Sequence, residues 1–163
     1  MKLIALTQGK FAMVDDIWYD VLIKWNWCAL RDKQNYYAGR GLWVKKKKIT
    51  IKMHRVIMGC VYGDGKIVDH ANRNTLDCQT HNLRFASFTQ NCSNKRVIPG
   101  TSKYMGVSFK KSNKKWVAQI KFNNSIKYLG LFENEIHAAK AYNDSARIHH
   151  GEFANLNVIP ENA

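Results

Sequence analysis

The pattern that most restricts this chain lies in its last third, where three alternating runs are followed by one helical run. Tyr104 to Lys110, Lys115 to Phe122 and Ser125 to Phe132 alternate as strands do, with turn residues Ser112-Asn113-Lys114 and Asn123-Asn124 between them. Glu133 to His149 then carries Ile136, Ala139, Ala141, Tyr142 and Ala146 at largely helical spacing, with alanines small enough to pack closely on a sheet. In the middle run Trp116, Ala118, Ile120 and Phe122 share one face, leaving Val117, Gln119 and Lys121 on the other. Residues 102–157 are therefore predicted to form a small three-stranded antiparallel sheet packed on one helix, with one sheet face left for a partner.

Ahead of that segment, Lys95 to Ser102 combines a Pro99-Gly100 turn signal with loss of periodicity, which predicts a linker at 96–101; 158–163 reads as a tail. Residues 1–52, which hold much of the chain's positive charge, read as a mixed strand and helix region in contact with a polyanionic partner. Leu3 to Val14 is a hairpin turning at Gln8-Gly9-Lys10, and Asp15 caps a helix whose Ile17, Trp18, Val21, Leu22 and Trp25 are expected in the core. Trp27 to Arg31, Tyr36 to Trp43 and Ile49 to Lys52 follow as strands. The Lys45 to Lys48 run is a tight solvated connection that is equally able to touch phosphates. Met53 to Cys60 is a short helix, on which His54 reads as a packing residue outside any site.

Residues 66–95 read as strand, loop, strand, helix. Lys66 to His70 is a strand ending in an acid and an imidazole, Ala71 to His81 a polar loop, and Asn82 to Ala86 a second strand. Ser87-Phe88-Thr89-Gln90 has the form of a capping box and starts a helix carrying Asn91 and Asn94. Asp69, His70, Asn82 and Asn91 can converge. Hydrolysis of a phosphodiester needs a group that takes the water proton and another that neutralises charge on the phosphate. His70 suits the first task, because an imidazole titrates near neutral pH. Asp69 and Asn91 offer hard oxygen donors suited to Mg²⁺ or a similar ion. Asn82 can orient the imidazole by accepting its other N–H.

Val68-Asp69-His70, Asn82-Leu83-Arg84 and Thr89-Gln90-Asn91 followed by Ser93-Asn94-Lys95 resemble the ββα-metal motif of HNH nucleases, particularly phage and intron homing endonucleases. Met53-His54-Arg55-Val56-Ile57-Met58 resembles the helix that leads into it. The resemblance covers residues 53–95 and implies DNA strand hydrolysis with one divalent metal ion, Mg²⁺ or Mn²⁺. By motif position it makes His70 the general base, Asn82 its orienting residue, and Asp69 and Asn91 the metal ligands. The turn after the histidine departs from the family's Asn-Gly-Asp type and reads Asn72-Arg73-Asn74, so an altered loop shape with intact chemistry is expected.

The C-terminal segment resembles an APETALA2-type DNA-binding domain, as found with HNH motifs in phage and prophage proteins. The resemblance rests on Tyr104-x-Gly106-Val107, Lys115-Trp116-x-Ala118-x-Ile120, Tyr128-Leu129-Gly130-x-Phe132, Ala138-Ala139-x-Ala141-Tyr142 and Gly151 to Asn157. It implies a sheet that enters the major groove, with Lys110, Gln119, Lys121 and Tyr128 as DNA contacts and Lys111, Lys114 and Lys127 adding phosphate contacts. Met105 and Ser108 stand where plant members place arginines, so plant-type guanine reading does not transfer.

The overall expectation is an α+β protein with a ββα-metal core and a second sheet-and-helix module. Charge agrees with a polyanionic partner: the net charge is +14, divided as +8 over residues 1–60, +2 over 61–101 and +4 over 102–163. Double-stranded DNA is the expected partner, with no membrane and no protein partner implied. The least polar stretch, Val56 to Gly63, is too short to cross a bilayer, and Leu3 to Leu6 makes no signal peptide. Four cysteines without a Cys-x-x-Cys pair read as reduced thiols in a cytoplasmic protein. The competing function is a DNA-binding regulator on the same scaffold that does not cut.

Overall fold

The computed structural model describes residues 1–94, 100–123 and 125–160. They form two compact units, Met1–Ser87 and Phe88–Ala163. The division falls ahead of the linker expected at 96–101. Most of that stretch lies outside the described residues, as do Lys95, Asn124 and the last three residues of the expected tail.

The first unit opens with an antiparallel hairpin, β1 (Lys2–Ala5) and β2 (Phe11–Val14), in which Lys2 pairs with Val14 and Ala5 with Phe11. Its turn closes through left-handed Gln8 and Gly9. Helix α1 (Asp16–Leu22) follows, and here the sequence expectation needs correction. Asp15 stands at the N-cap position, but its side chain caps nothing; Oδ2 instead accepts from the Thr80 amide at 2.7 Å and the Thr80 hydroxyl at 2.6 Å. Of the expected core residues only Leu22 is fully buried, with Trp18 partly buried against the core, while Ile17 is 79% exposed and Val21 and Trp25 are exposed. A helix of two turns can bury only one row of side chains.

Strands β3 (Cys28–Asp32), β4 (Asn35–Val44) and β5 (Lys47–Lys52) make an antiparallel sheet in the order β3-β4-β5. β3 pairs with the first half of β4, from Asn35 to Gly39, and β5 with the second, from Gly39 to Val44. Lys45 and Lys46 form the two-residue turn at its far end. β5 runs directly into α2 (Met53–Ile57), shorter than the helix expected to Cys60. A second hairpin, β6 (Ile67–His70) and β7 (Leu83–Ala86), pairs Asp69 with Arg84 and His70 with Leu83. Ile4, Val14, Leu22, Trp27, Met53 and Cys78 make the centre of the core these elements share. All four cysteines are free thiols.

The second unit begins with α3 (Phe88–Ser93), which starts directly after Ser87, where the capping-box pattern places it. Its sheet runs β8 (Val107–Lys110), β9 (Lys115–Phe122), β10 (Ser125–Phe132), with β9 in the middle and all pairs antiparallel. Helix α4 (Glu135–His150) packs on it and is capped by Asn134, whose Oδ1 accepts from the Ile136 amide at 2.7 Å. Ala118 and Ile120 of β9 meet Ala138, Ala139, Tyr142 and Ala146 in the core, so the sheet face read as apolar is the buried one. Gly106, ahead of β8, has φ +70°, and a Cβ there would overlap the Tyr142 ring and the Gln119 carbonyl. Asn157 closes the unit. Its side chain accepts from the Met105 amide at 2.6 Å and donates to the Met105 carbonyl at 3.1 Å, while its backbone exchanges two hydrogen bonds with the Asn143 side chain.

Candidate active site

β6 ends by carrying Asp69 and His70 inward; they are 6% and 4% exposed. Successive strand residues alternate faces, so both can be buried only because core lies on each side of the strand end. On one side Asp69 receives its cross-strand neighbour Arg84, whose Nε and Nη2 donate to Oδ2 at 3.0 and 2.9 Å. Both donors meet the one oxygen, a charge-assisted pair that holds Oδ2 in place.

On the other side His70 meets aromatic rings. His54, the second residue of α2, lies edge-on with ring centroids 4.8 Å apart, and Tyr37 of β4 tilts over both at 6.1 Å from His70 and 5.7 Å from His54. Lys52 places its ammonium 4.4 Å from the centre of the Tyr37 ring. Burial lowers the His70 pKa to about 4, against the opposing pull of the Asp69 and Asp77 carboxylates. Burial, helped by His70 and Lys52, brings His54 to about 2. Both imidazoles are neutral at neutral pH.

Asn82 ends the short 3-10 turn before β7 and is 3% exposed. Its Oδ1 accepts from the Asn72 amide at 2.9 Å and its Nδ2 donates to the Asp77 carbonyl at 2.8 Å. Asn72 donates in turn to Asp77 Oδ2 at 2.7 Å. The amide expected to face the imidazole is thus bonded at both ends to the loop that leaves His70. Arg73 takes a left-handed conformation, φ 64°, which glycine adopts without steric cost. The departure from Asn-Gly-Asp leaves a closed turn, with Arg73 N bonded to His70 O at 2.9 Å.

Asn91, the remaining member of the expected set, lies on α3 in the second unit. Among the described residues no three His, Cys, Asp or Glu side chains gather into a closed metal cage. The Asp69 carboxylate is a hard oxygen donor, of the kind preferred by an ion that retains waters and is completed by a phosphate. The residues present fit Mg²⁺ or Mn²⁺ better than zinc.

Residues 52–92 match the HNH endonuclease family. The HNH match runs from Lys52, through His54, Asp69, His70 and Asn82, to one residue beyond Asn91. It supports a nuclease and DNA-binding function for this stretch, and DNA is the substrate that the HNH family implies. Comparison with curated proteins gave no match.

Sequence reasoning missed three participants in the HNH stretch and its surroundings: His54, Tyr37 and Arg84. The available signal was the Met53-His54-Arg55 run. Its histidine turns inward to His70, while Arg55 turns out and bonds the Lys66 and Val61 carbonyls and Asp64, fastening the loop that leads into β6. In the second unit Lys110, Gln119, Lys121 and Tyr128 are all exposed. Pairing of Tyr128 with Gln119 and of Lys110 with Lys115 puts them on the sheet face opposite Ala118 and Ile120. No helix among the described residues is long and apolar enough to cross a membrane.

Proposed function

We propose that the protein is a metal-dependent endonuclease of homing type that hydrolyses a phosphodiester bond in duplex DNA. The observation that carries this reading is the neutral, buried imidazole of His70 beside a fixed Asp69 carboxylate, inside the stretch that matches HNH endonucleases.

His70 accepts the proton of the attacking water, which requires the neutral ring that burial provides. Asn82 acts as a positioning residue through the loop it clasps, and His54 and Tyr37 hold the ring by contact. Asp69 and Asn91 would hold the divalent ion, and Arg84 keeps the Asp69 carboxylate oriented. A bound Mg²⁺ supplies Lewis-acid stabilisation of charge on the phosphate and leaving oxygen. The exposed sheet face of the second unit, read as APETALA2-like, sets placement on the duplex through Lys110, Gln119, Lys121 and Tyr128.

The test is incubation of the purified protein with phage and host DNA in Mg²⁺ or Mn²⁺, with and without EDTA, beside His70→Ala. The expected result is metal-dependent cutting that His70→Ala abolishes while DNA binding persists. Binding without a cut on any DNA would overturn the enzyme reading in favour of the regulator. Cutting that survives His70→Ala would remove the base assignment.

A further inference from the structure

The β4–β5 hairpin of the first unit ends in an exposed tip. Residues 41–48 are all exposed, on both faces of the ribbon, and they include Trp43 at 70% along with Leu42 and Val44. Trp43 pairs with Lys48 across the ribbon and Val44 with Lys47, so apolar and cationic side chains alternate at one tip. The surrounding charge has one sign: between Asp32 and Asp64 the chain holds eight basic residues and no acidic one.

The turn itself is a second, independent sign. Lys45 and Lys46 both occupy left-handed backbone, φ 46° and 64°, the arrangement of a two-residue hairpin turn that Asn-Gly fills with least strain. A hairpin selected for turn geometry alone would not place two lysines there. The other end of the ribbon reaches the candidate site: β5 finishes at Lys52, whose ammonium lies on the Tyr37 ring that touches His54 and His70. From Lys47 to Lys52 the strand covers about 17 Å at ~3.3 Å per residue, or about five base-pair steps.

We propose that this hairpin is a DNA-binding arm that lies in a groove of the duplex beside the cut. The lysines of the tip bind backbone phosphates about five base pairs from the scissile bond, and Trp43 packs against the groove. A two-stranded ribbon fits the major groove, and the +4 lysine run complements the backbone. The proposal rests on the endonuclease reading for the position of the cut, but its binding test does not.

The experiment uses the full-length protein and a fluorescein-labelled duplex of thirty base pairs in EDTA, titrated by anisotropy over a series of KCl concentrations. The first variant is Lys45→Asn with Lys46→Gly, which keeps the turn and removes two charges; thermal melting checks its fold. The expected result is a slope of log affinity against log salt reduced by roughly two, at about 0.9 per phosphate contact. Trp43→Ala is expected to weaken binding roughly tenfold with the slope unchanged. A hydroxyl-radical footprint should lose protection about five base pairs from the cut. Unchanged slope and affinity in both variants would overturn the proposal. So would intact DNA binding with lost binding to anionic phosphatidylserine vesicles, which would make the tip a membrane contact. A wild-type protein that binds through the hairpin yet never cuts refutes the endonuclease reading alone; cutting with an unaltered footprint in the lysine variant refutes the arm alone.

Discussion

Acidification should unfold the first unit, and His54 should account for a separable share of the loss. Its folded pKa of about 2 lies below the unfolded value of 6.5, so the unfolded chain binds more protons at every pH between them. The stabilisation is therefore whole above pH 6.5 and falls as pH drops towards the folded value. For His54 the loss between pH 7 and pH 5 is about 2 kcal/mol, from ~1.4 kcal/mol for each of the 1.5 units below the unfolded value. His70, with a folded pKa of about 4, contributes roughly as much by the same arithmetic, so the pair accounts for about 4 kcal/mol. That is a large share of a small unit's stability. The assay is urea unfolding of the metal-free protein at several pH values. A Trp116→Phe background leaves Trp18, Trp25, Trp27 and Trp43, all of which lie in the first unit and report on it. His54→Gln should be less stable at pH 7 but should lose about 2 kcal/mol less than wild type on going to pH 5. Parallel pH dependences in the two proteins would refute the claim that His54 is held neutral by burial.

Asn82→Ala should lower stability by about 2 kcal/mol through two lost hydrogen bonds around the loop after His70. If the loop positions the base, kcat should fall more than tenfold with KM little changed, measured by single-turnover cleavage at a temperature where the variant is fully folded. Gly106→Ala should destabilise the second unit by roughly 3 kcal/mol, since a methyl group meets both a ring and a carbonyl in left-handed backbone; amide hydrogen exchange of β9 as denaturant is raised tests this.

How far the sequence can be read depends on the range of the interaction that settles each residue. β9 and β10 occupy the residues their period-2 alternation predicts, and Asp69 and His70 end a strand as expected, because these follow from local pattern and turn chemistry. The first helix misled for the opposite reason. Asp15 has the right type and place for a cap, yet its carboxylate is taken by Thr80, far along the chain. Ile17 and Val21 fit a helical stripe, but the core fully buries Leu22 of this helix and takes Trp18 only in part. His54 stands in the Met53-His54-Arg55 run, but no local pattern says that a strand end folds back to meet it. The place of Asp69 and His70 at a strand end was legible in local pattern; the ring enclosure that keeps His70 neutral was not, because it is made by tertiary contact.

The Asn157 clasp gives the second unit an unusual practical property. Met105, just before the first strand, and Asn157, after the last helix, are joined by hydrogen bonds of 2.6 and 3.1 Å, so the two ends of the sheet-and-helix part of this unit lie at one place. A body whose ends adjoin behaves as a cassette: it can be cut out, spliced into a surface loop of another protein, or given new ends in one of its turns without stretching its backbone. The same closure lets such a unit be gained or lost between chains as a single piece.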